Sequence, residues 1–83
     1  MSRPRPRLTH TQRETLVLVA NGNTNAQIAA WRGVAAHSVA EALTAAYRRL
    51  GATDRAQAVA LALRYGLIHL SEIRLPTDSK ERP

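Results

Sequence analysis

The stretch from Asn21 to Gly51, NGNTNAQIAAWRGVAAHSVAEALTAAYRRLG, limits the fold more than any other part of this 83-residue chain. Asn21-Gly22 ends whatever helix precedes it, since Gly22 can adopt the left-handed conformation that closes a helix C-terminus. Thr24 then offers its hydroxyl to the unbonded amides of a new helix, and Gln27 three positions on completes a capping box. Gly33 halts that helix after about two turns. A second run follows, with Val39, Leu43, Ala46, Tyr47 and Leu50 recurring on one helical face, and Gly51 closes it. Two short helices joined by a Gly-containing turn form a helix-turn-helix. The other segments are expected to hold this pair and present its second helix, in an all-α domain of four helices.

The chain has no cysteine, so it can form neither a disulfide nor a thiolate metal site, and a reducing, cytoplasmic setting fits. No apolar run approaches the roughly 20 residues that span a bilayer, and no secretory signal opens the chain. The expected molecule is therefore cytoplasmic, without membrane contact. Its length suits one domain near the lower limit for a single apolar core. The net charge of +6 comes almost wholly from eleven Arg against one Lys. That balance favours a polyanionic partner, nucleic acid ahead of an anionic membrane surface. Guanidinium groups also grip phosphate through two parallel hydrogen bonds, which an ammonium cannot do. A GC-rich genome would produce the same abundance of Ala and Arg, so charge alone does not decide the function.

Residues 1–7, MSRPRPR, alternate Arg with Pro and are expected to form an extended, flexible arm. Arg3, Arg5 and Arg7 are its candidates for entering the minor groove of a duplex; the plainer alternative is a solubilising tail. The first helix should begin near Thr9, where Thr9 and Gln12 make a capping box, although Thr11 with Glu14 would serve one step later. Leu16, Val19 and Ala20 form its core stripe, and Leu8 packs at its entry. Arg13 lies off that stripe and reads as a solvated or phosphate-facing charge.

The second helix, about 25–32, turns Ile28 and Ala29 inward. Its N-terminal amides suit a phosphate. Thr24 caps and is a candidate phosphate donor, and Asn25 has a side chain free to reach outward. Trp31 reads as core or rim packing. The third helix, about 36–50, turns His37, Ser38, Ala40, Glu41, Thr44, Ala45 and Arg48 away from its apolar stripe. On a recognition helix the residues near the N-terminus meet base edges, and Arg48 and Arg49 meet the backbone. His37, Ala40, Glu41 and Thr44 are thus the candidate base-facing set. Ser38, Arg48 and Arg49 join Thr24 and Asn25 as candidate phosphate contacts. Two alanines and an acid leave this face short of donors.

A fourth helix opens at Asp54, which can cap it with Gln57 at the third position, and runs to about Tyr65 before Gly66. Ala58, Leu61, Ala62 and Tyr65 can cover the helix-turn-helix core. Ala56, Val59, Ala60 and Leu63 form an opposing stripe, and a small monomer rarely leaves a whole apolar helix face in water. That stripe is the candidate homodimer seam; burial on both sides of the helix is the alternative. Ser71 is placed to cap one further turn, and the segment after Gly66 either folds back on the core or extends the subunit contact. Residues 76–83 are expected to be a disordered tail. His10, His37 and His69 fall on separate elements and suggest neither a catalytic triad nor a metal set. No enzyme activity, metal, cofactor or small-molecule ligand is expected.

Taken together, Leu8-Thr9, Arg13-Glu14, Leu16, Ala20-x-Gly22-x-Thr24-Asn25, Ile28-Ala29, Gly33-Val34, Ser38-Val39, Tyr47-Arg48-Arg49-Leu50-Gly51, Asp54-Arg55-Ala56-Gln57-Ala58 and Gly66-Leu67 resemble the LuxR/FixJ-type DNA-binding domain. The resemblance runs from about residue 8 to 68 without a gap. It implies a transcriptional regulator whose third helix enters the major groove of double-stranded DNA and whose fourth helix dimerises. It also implies a stand-alone member, because only a seven-residue arm precedes the domain. Members of the family commonly carry Ser at the position of Ala35, Lys at Ala40, His at Ala42 and Leu at Arg32. Ala35 removes a helix cap, at a cost of about 1 kcal/mol. Ala40, Glu41 and Thr44 stand where the family faces bases and bring no positive charge there. Thr44 can still donate or accept, Glu41 can accept from a cytosine amino group, and Ala40 can touch a thymine methyl.

Two functions follow from these residues. One is a dimeric DNA-binding transcriptional regulator. The other is a protein-interaction module that pairs with another regulator through its apolar fourth helix and has lost tight sequence-specific DNA binding.

Overall fold

A computed structural model describes residues 5–76 of the chain. Arg3 and residues 77–83 lie outside the described residues. Four α-helices follow one another: α1 (His10–Ala20), α2 (Asn25–Arg32), α3 (Ala36–Leu50) and α4 (Arg55–Arg64), then a single 3₁₀ turn at Leu70–Glu72. There is no strand among the described residues, and none of their helices is long and apolar enough to cross a membrane.

Local chemistry sets the helix ends. Thr9 Oγ1 accepts the Gln12 N–H at 3.1 Å while Gln12 Oε1 accepts the Thr9 N–H at 2.9 Å, so α1 starts from Thr9 and not from Thr11. The same reciprocal pair recurs at α2 between Thr24 and Gln27. Asp54 Oδ1 accepts the Gln57 N–H at 2.8 Å and opens α4. Only α3 lacks a side-chain cap, since Ala35 has none to offer. Gly33 and Gly51, at φ 70° and 74°, end α2 and α3 in the left-handed region, where a Cβ would be strained.

The core is one cluster. Val39, Leu43, Ala46 and Leu50 of α3 join Leu16 and Val19 of α1, Ile28 and Ala29 of α2, and Ala58 and Ala62 of α4. Helix α3 packs on α1 and α2, and α4 packs on α1 and α3. Complete burial of Leu16 or Ile28 stabilises the fold by about 1.5–3 kcal/mol each. On α4, Ala56 and Ala60 are exposed as the outward stripe requires. Val59 and Leu63 depart from it, because both are half-buried against the core. The α4 helix is short and close-set on alanines, so its longer flanking side chains fold down at its edges.

The segment after Gly66 folds back on the domain. Ile68 enters the core, and Arg13 ties the segment down. Arg13 Nε donates to the Leu67 carbonyl at 3.1 Å, and Nη2 reaches both Glu72 carboxylate oxygens at 2.6 Å. A solvated or phosphate-facing Arg13 is therefore ruled out: its partners lie more than fifty residues away, beyond the reach of any local pattern. Asn21 fastens the same segment, donating to the Val17 and Glu72 carbonyls and accepting the Arg74 N–H at 2.6 Å. The 3₁₀ turn is entered at His69, whose N–H is accepted by Glu72 Oε1 at 3.0 Å, so Ser71 lies inside the turn and does not cap it.

Burial alone would raise the Glu72 carboxyl. The Arg13 hydrogen bond, the His69 N–H and the Arg13 charge outweigh it and hold the group below its ordinary range. A depressed carboxyl adds stability that is complete above its unfolded value and is lost as pH falls through the folded one. Glu72→Gln should therefore lower stability at pH 7 by about 1 kcal/mol, the pair being partly exposed. As pH falls below the ordinary carboxylate range and through the lowered folded value, the variant and wild type should converge. Urea unfolding across pH 3–7 measures both, and a constant gap between the two proteins would contradict this role for the ion pair.

Candidate nucleic-acid interface

Burial of the inner stripe of α3 fixes what its other side presents. His37, Ala40, Glu41 and Thr44 are all exposed, and with Ala45 and Arg48 they line one shallow depression. The structure thus brings the four base-facing candidates onto a single continuous surface. Ala40, Thr44 and Ala45 contribute short side chains to it, and His37, Glu41 and Arg48 longer ones. Glu41 is the one acid on α3, and no ion pair engages it among the described residues. At the far end of the same helix Arg48 and Arg49 are exposed in the last turn, where cations offset the negative end of the helix dipole.

The uncapped start of α3 adds a feature of its own. Ser38 N–H and Val39 N–H bond back to the Ala35 carbonyl, while no side chain meets the first-turn amides. Exposed Ser38 stands beside these amides, next to the base-facing set.

The start of α2 is arranged differently from the sequence-based expectation. Thr24 Oγ1 accepts the Gln27 N–H, which leaves its own O–H proton as the group it can give to a phosphate. The Asn25 side chain is not free: its Oδ1 accepts from Arg55 Nη1 at 2.8 Å, leaving the Nδ2 amide as donor. Arg55 Nη2 also donates to the Asn23 carbonyl at 2.7 Å. The sequence reading missed Arg55. A signal existed, because a cation in the first turn of a helix opposes the dipole and calls for a compensating partner.

The arm residues that are described lie against the domain. Arg5 Nη1 donates to the Tyr65 carbonyl at 2.9 Å, at the C-terminal end of α4. Arg49 Nη1 reaches the Arg7 carbonyl at 3.4 Å, a long and exposed contact. Arg5, Arg7, Arg48 and Arg49 therefore stand toward the C-terminal ends of α3 and α4.

A cleft of about 340 Å³ lies between α1, α2 and the 3₁₀ turn, with Val17, Leu18 and the half-exposed Trp31 among its walls. Arg32 is another of its walls, reaching Glu14 at 3.6 Å and Thr15 Oγ1 at 3.5 Å. None of the residues proposed for contact with bases lines it.

With this geometry in view, comparison with known proteins places the chain. Residues 6–62 match the family described as bacterial regulatory proteins, luxR family. The chain belongs to that family. It is also similar to a probable transcriptional regulatory protein, SgaR, of Hyphomicrobium methylovorum, at 47% identity over 58 residues. The match covers 70% of this chain and 28% of that protein, so the chain corresponds to less than a third of its relative's length.

Ala35 already has the extended backbone of a cap residue, φ −75° and ψ 149°. Ala35→Ser should therefore stabilise the fold by about 1 kcal/mol, by accepting a first-turn amide of α3. Chemical denaturation would read this directly; an unchanged midpoint would mean that those amides gain nothing from a side-chain partner.

Proposed function

We propose that this chain is a DNA-binding transcriptional regulator that lays the outer side of α3 in the major groove and pairs as a homodimer through α4. The observation that supports this most strongly is the single exposed surface of His37, Ala40, Glu41 and Thr44, bounded by Arg48 and Arg49, in a member of a family of regulators. Thr44 donates or accepts at a base edge, Ala40 touches a thymine methyl, and Glu41 accepts from a cytosine amino group. Thr24, Asn25, Ser38, Arg48 and Arg49 hold phosphates and so set the register on the duplex. Arg3, Arg5 and Arg7 follow the backbone toward the minor groove, with Arg5 leaving Tyr65 to do so. Residues 8–75 act as the folded unit, between the arm and the tail, in the cytoplasm.

The dimer seam comprises Ala56 and Ala60, flanked by Val59 and Leu63. A two-fold pair sets the two α3 helices about one DNA turn apart, roughly 34–36 Å, on a site of matching symmetry. Small residues at the centre of the seam let two α4 backbones come close.

One observation favours the second reading, a protein-interaction module without tight DNA binding. Glu41 puts a negative charge in the middle of the surface that would meet a polyanion. Salt separates the two readings. A chain that displaces cations from several phosphates loses affinity with a log–log slope of about −0.9 per phosphate.

Arg48→Ala should weaken binding to all duplexes alike and make that slope shallower by about 0.9, whereas Thr44→Ala should relax preference at one base. Fluorescence anisotropy over a salt series tests both, and a sequence-selective loss from Arg48→Ala would contradict the assignment. Ala60 is exposed, so Ala60→Glu leaves the core intact and sets two charges face to face across the seam. Sedimentation should then report monomers and duplex affinity should fall with them. A wild type that is already monomeric at micromolar concentration would refute the seam.

A further inference from the structure

Arg55 stands in the first turn of α4, where its charge faces the positive end of the helix dipole. Its guanidinium is nonetheless half-buried and held by two short hydrogen bonds, to Asn25 Oδ1 at 2.8 Å and to the Asn23 carbonyl at 2.7 Å. Helix α4 packs chiefly on α1 and α3, so these bonds reach across to an element that α4 otherwise meets little. The same turn is held from the other side, where Asn23 Nδ2 donates to the Leu18 carbonyl at 2.8 Å. Asp54 caps α4 immediately before Arg55 and fixes the backbone from which the side chain extends.

We infer that Arg55 is a positioning residue for the phosphate contact of Asn25, and the link through which the pairing helix α4 sets the start of α2. This rests on the DNA-binding reading above. The reason lies in the chemistry of the two groups. A guanidinium only donates, so it accepts no approach from the Asn25 NH₂ and selects the carbonyl oxygen. Oxygen and nitrogen occupy different branches of the amide, so fixing Oδ1 on Arg55 fixes which branch carries Nδ2 and leaves that donor as the group Asn25 can offer a phosphate. An amide left alone would sample both flips and would have to be ordered by the ligand. Ala56, the next residue of α4, belongs to the proposed seam. A partner subunit that immobilises the first turn of α4 therefore immobilises Asn25 as well.

The test measures anisotropy of a fluorescein-labelled mixed-sequence duplex with the full chain, after circular dichroism has shown each variant folded at the working temperature. Asn25→Asp keeps an acceptor for Arg55, so its melting temperature should equal or exceed that of wild type. It replaces the donor by a charge, so affinity should fall about tenfold. Arg55→Ala and Asn25→Ala should each weaken binding by a similar factor, and the double variant should be hardly weaker than either, since both remove one coupled contact. Arg55→Lys, which retains charge but cannot span both acceptors, should fall between and serves if the alanine variant does not fold. Folded Arg55 variants that bind like wild type, or losses that simply multiply in the double variant, would overturn the inference alone. A wild type without salt-dependent duplex binding would overturn the DNA-binding reading itself.

Discussion

The rotation of α3 about its own axis is the constraint on which the molecule's presentation depends. Successive residues advance by one part in 3.6 of a turn, so burying Val39, Leu43, Ala46 and Leu50 leaves no freedom over which residues point outward. Four other segments contribute to the pocket that receives this stripe, and Ile28 of α2 and Leu16 of α1 are fully buried within it. A rotation of one residue would place Ala40 and Thr44, or Ser38 and Arg49, toward the core, where a polar or charged group without a partner is costly. The same apolar contacts that stabilise the fold thus also fix the composition of its exposed face.

Polar staples do a different job from the core. Arg13 near the start of α1 and Asn21 at its end join that helix to residues 67–74, and Asn23, Asn25 and Arg55 join the turn before α2 to α1 and α4. The turn from Asn21 to Asn25 therefore uses three asparagine side chains to connect four parts of a short chain. Each replaces a backbone contact that a turn cannot make with regular structure. Their net stabilisation is modest, about 1 kcal/mol apiece, but they set angles between helices that apolar packing alone leaves loose.

Legibility in the sequence followed the range of the interaction. The bounds of α2 and α3 are readable because Thr24, Gln27, Gly33 and Gly51 act within a turn of their own position. The inner stripe of α3 is readable because periodicity repeats along one helix. Arg13 and Asn25 were read as outward-facing because their partners, Glu72 and Arg55, lie 59 and 30 residues away. The half-burial of Val59 and Leu63 was missed for a related reason: how far α4 sinks into the core depends on the size of Ala58 and Ala62 against their neighbours, not on its own pattern. The His69 entry to the 3₁₀ turn likewise depends on Glu72 being held by α1.

The central claim is that the outer side of α3 is the surface that meets a duplex. Amide chemical-shift mapping of the ¹⁵N-labelled chain with a short duplex tests it most directly. The expected result is perturbation centred on His37, Ala40, Glu41, Thr44 and Arg48, with Leu16 and Ile28 in the core little changed. Shifts centred on the Trp31 cleft between α1 and α2, with α3 undisturbed, would contradict it.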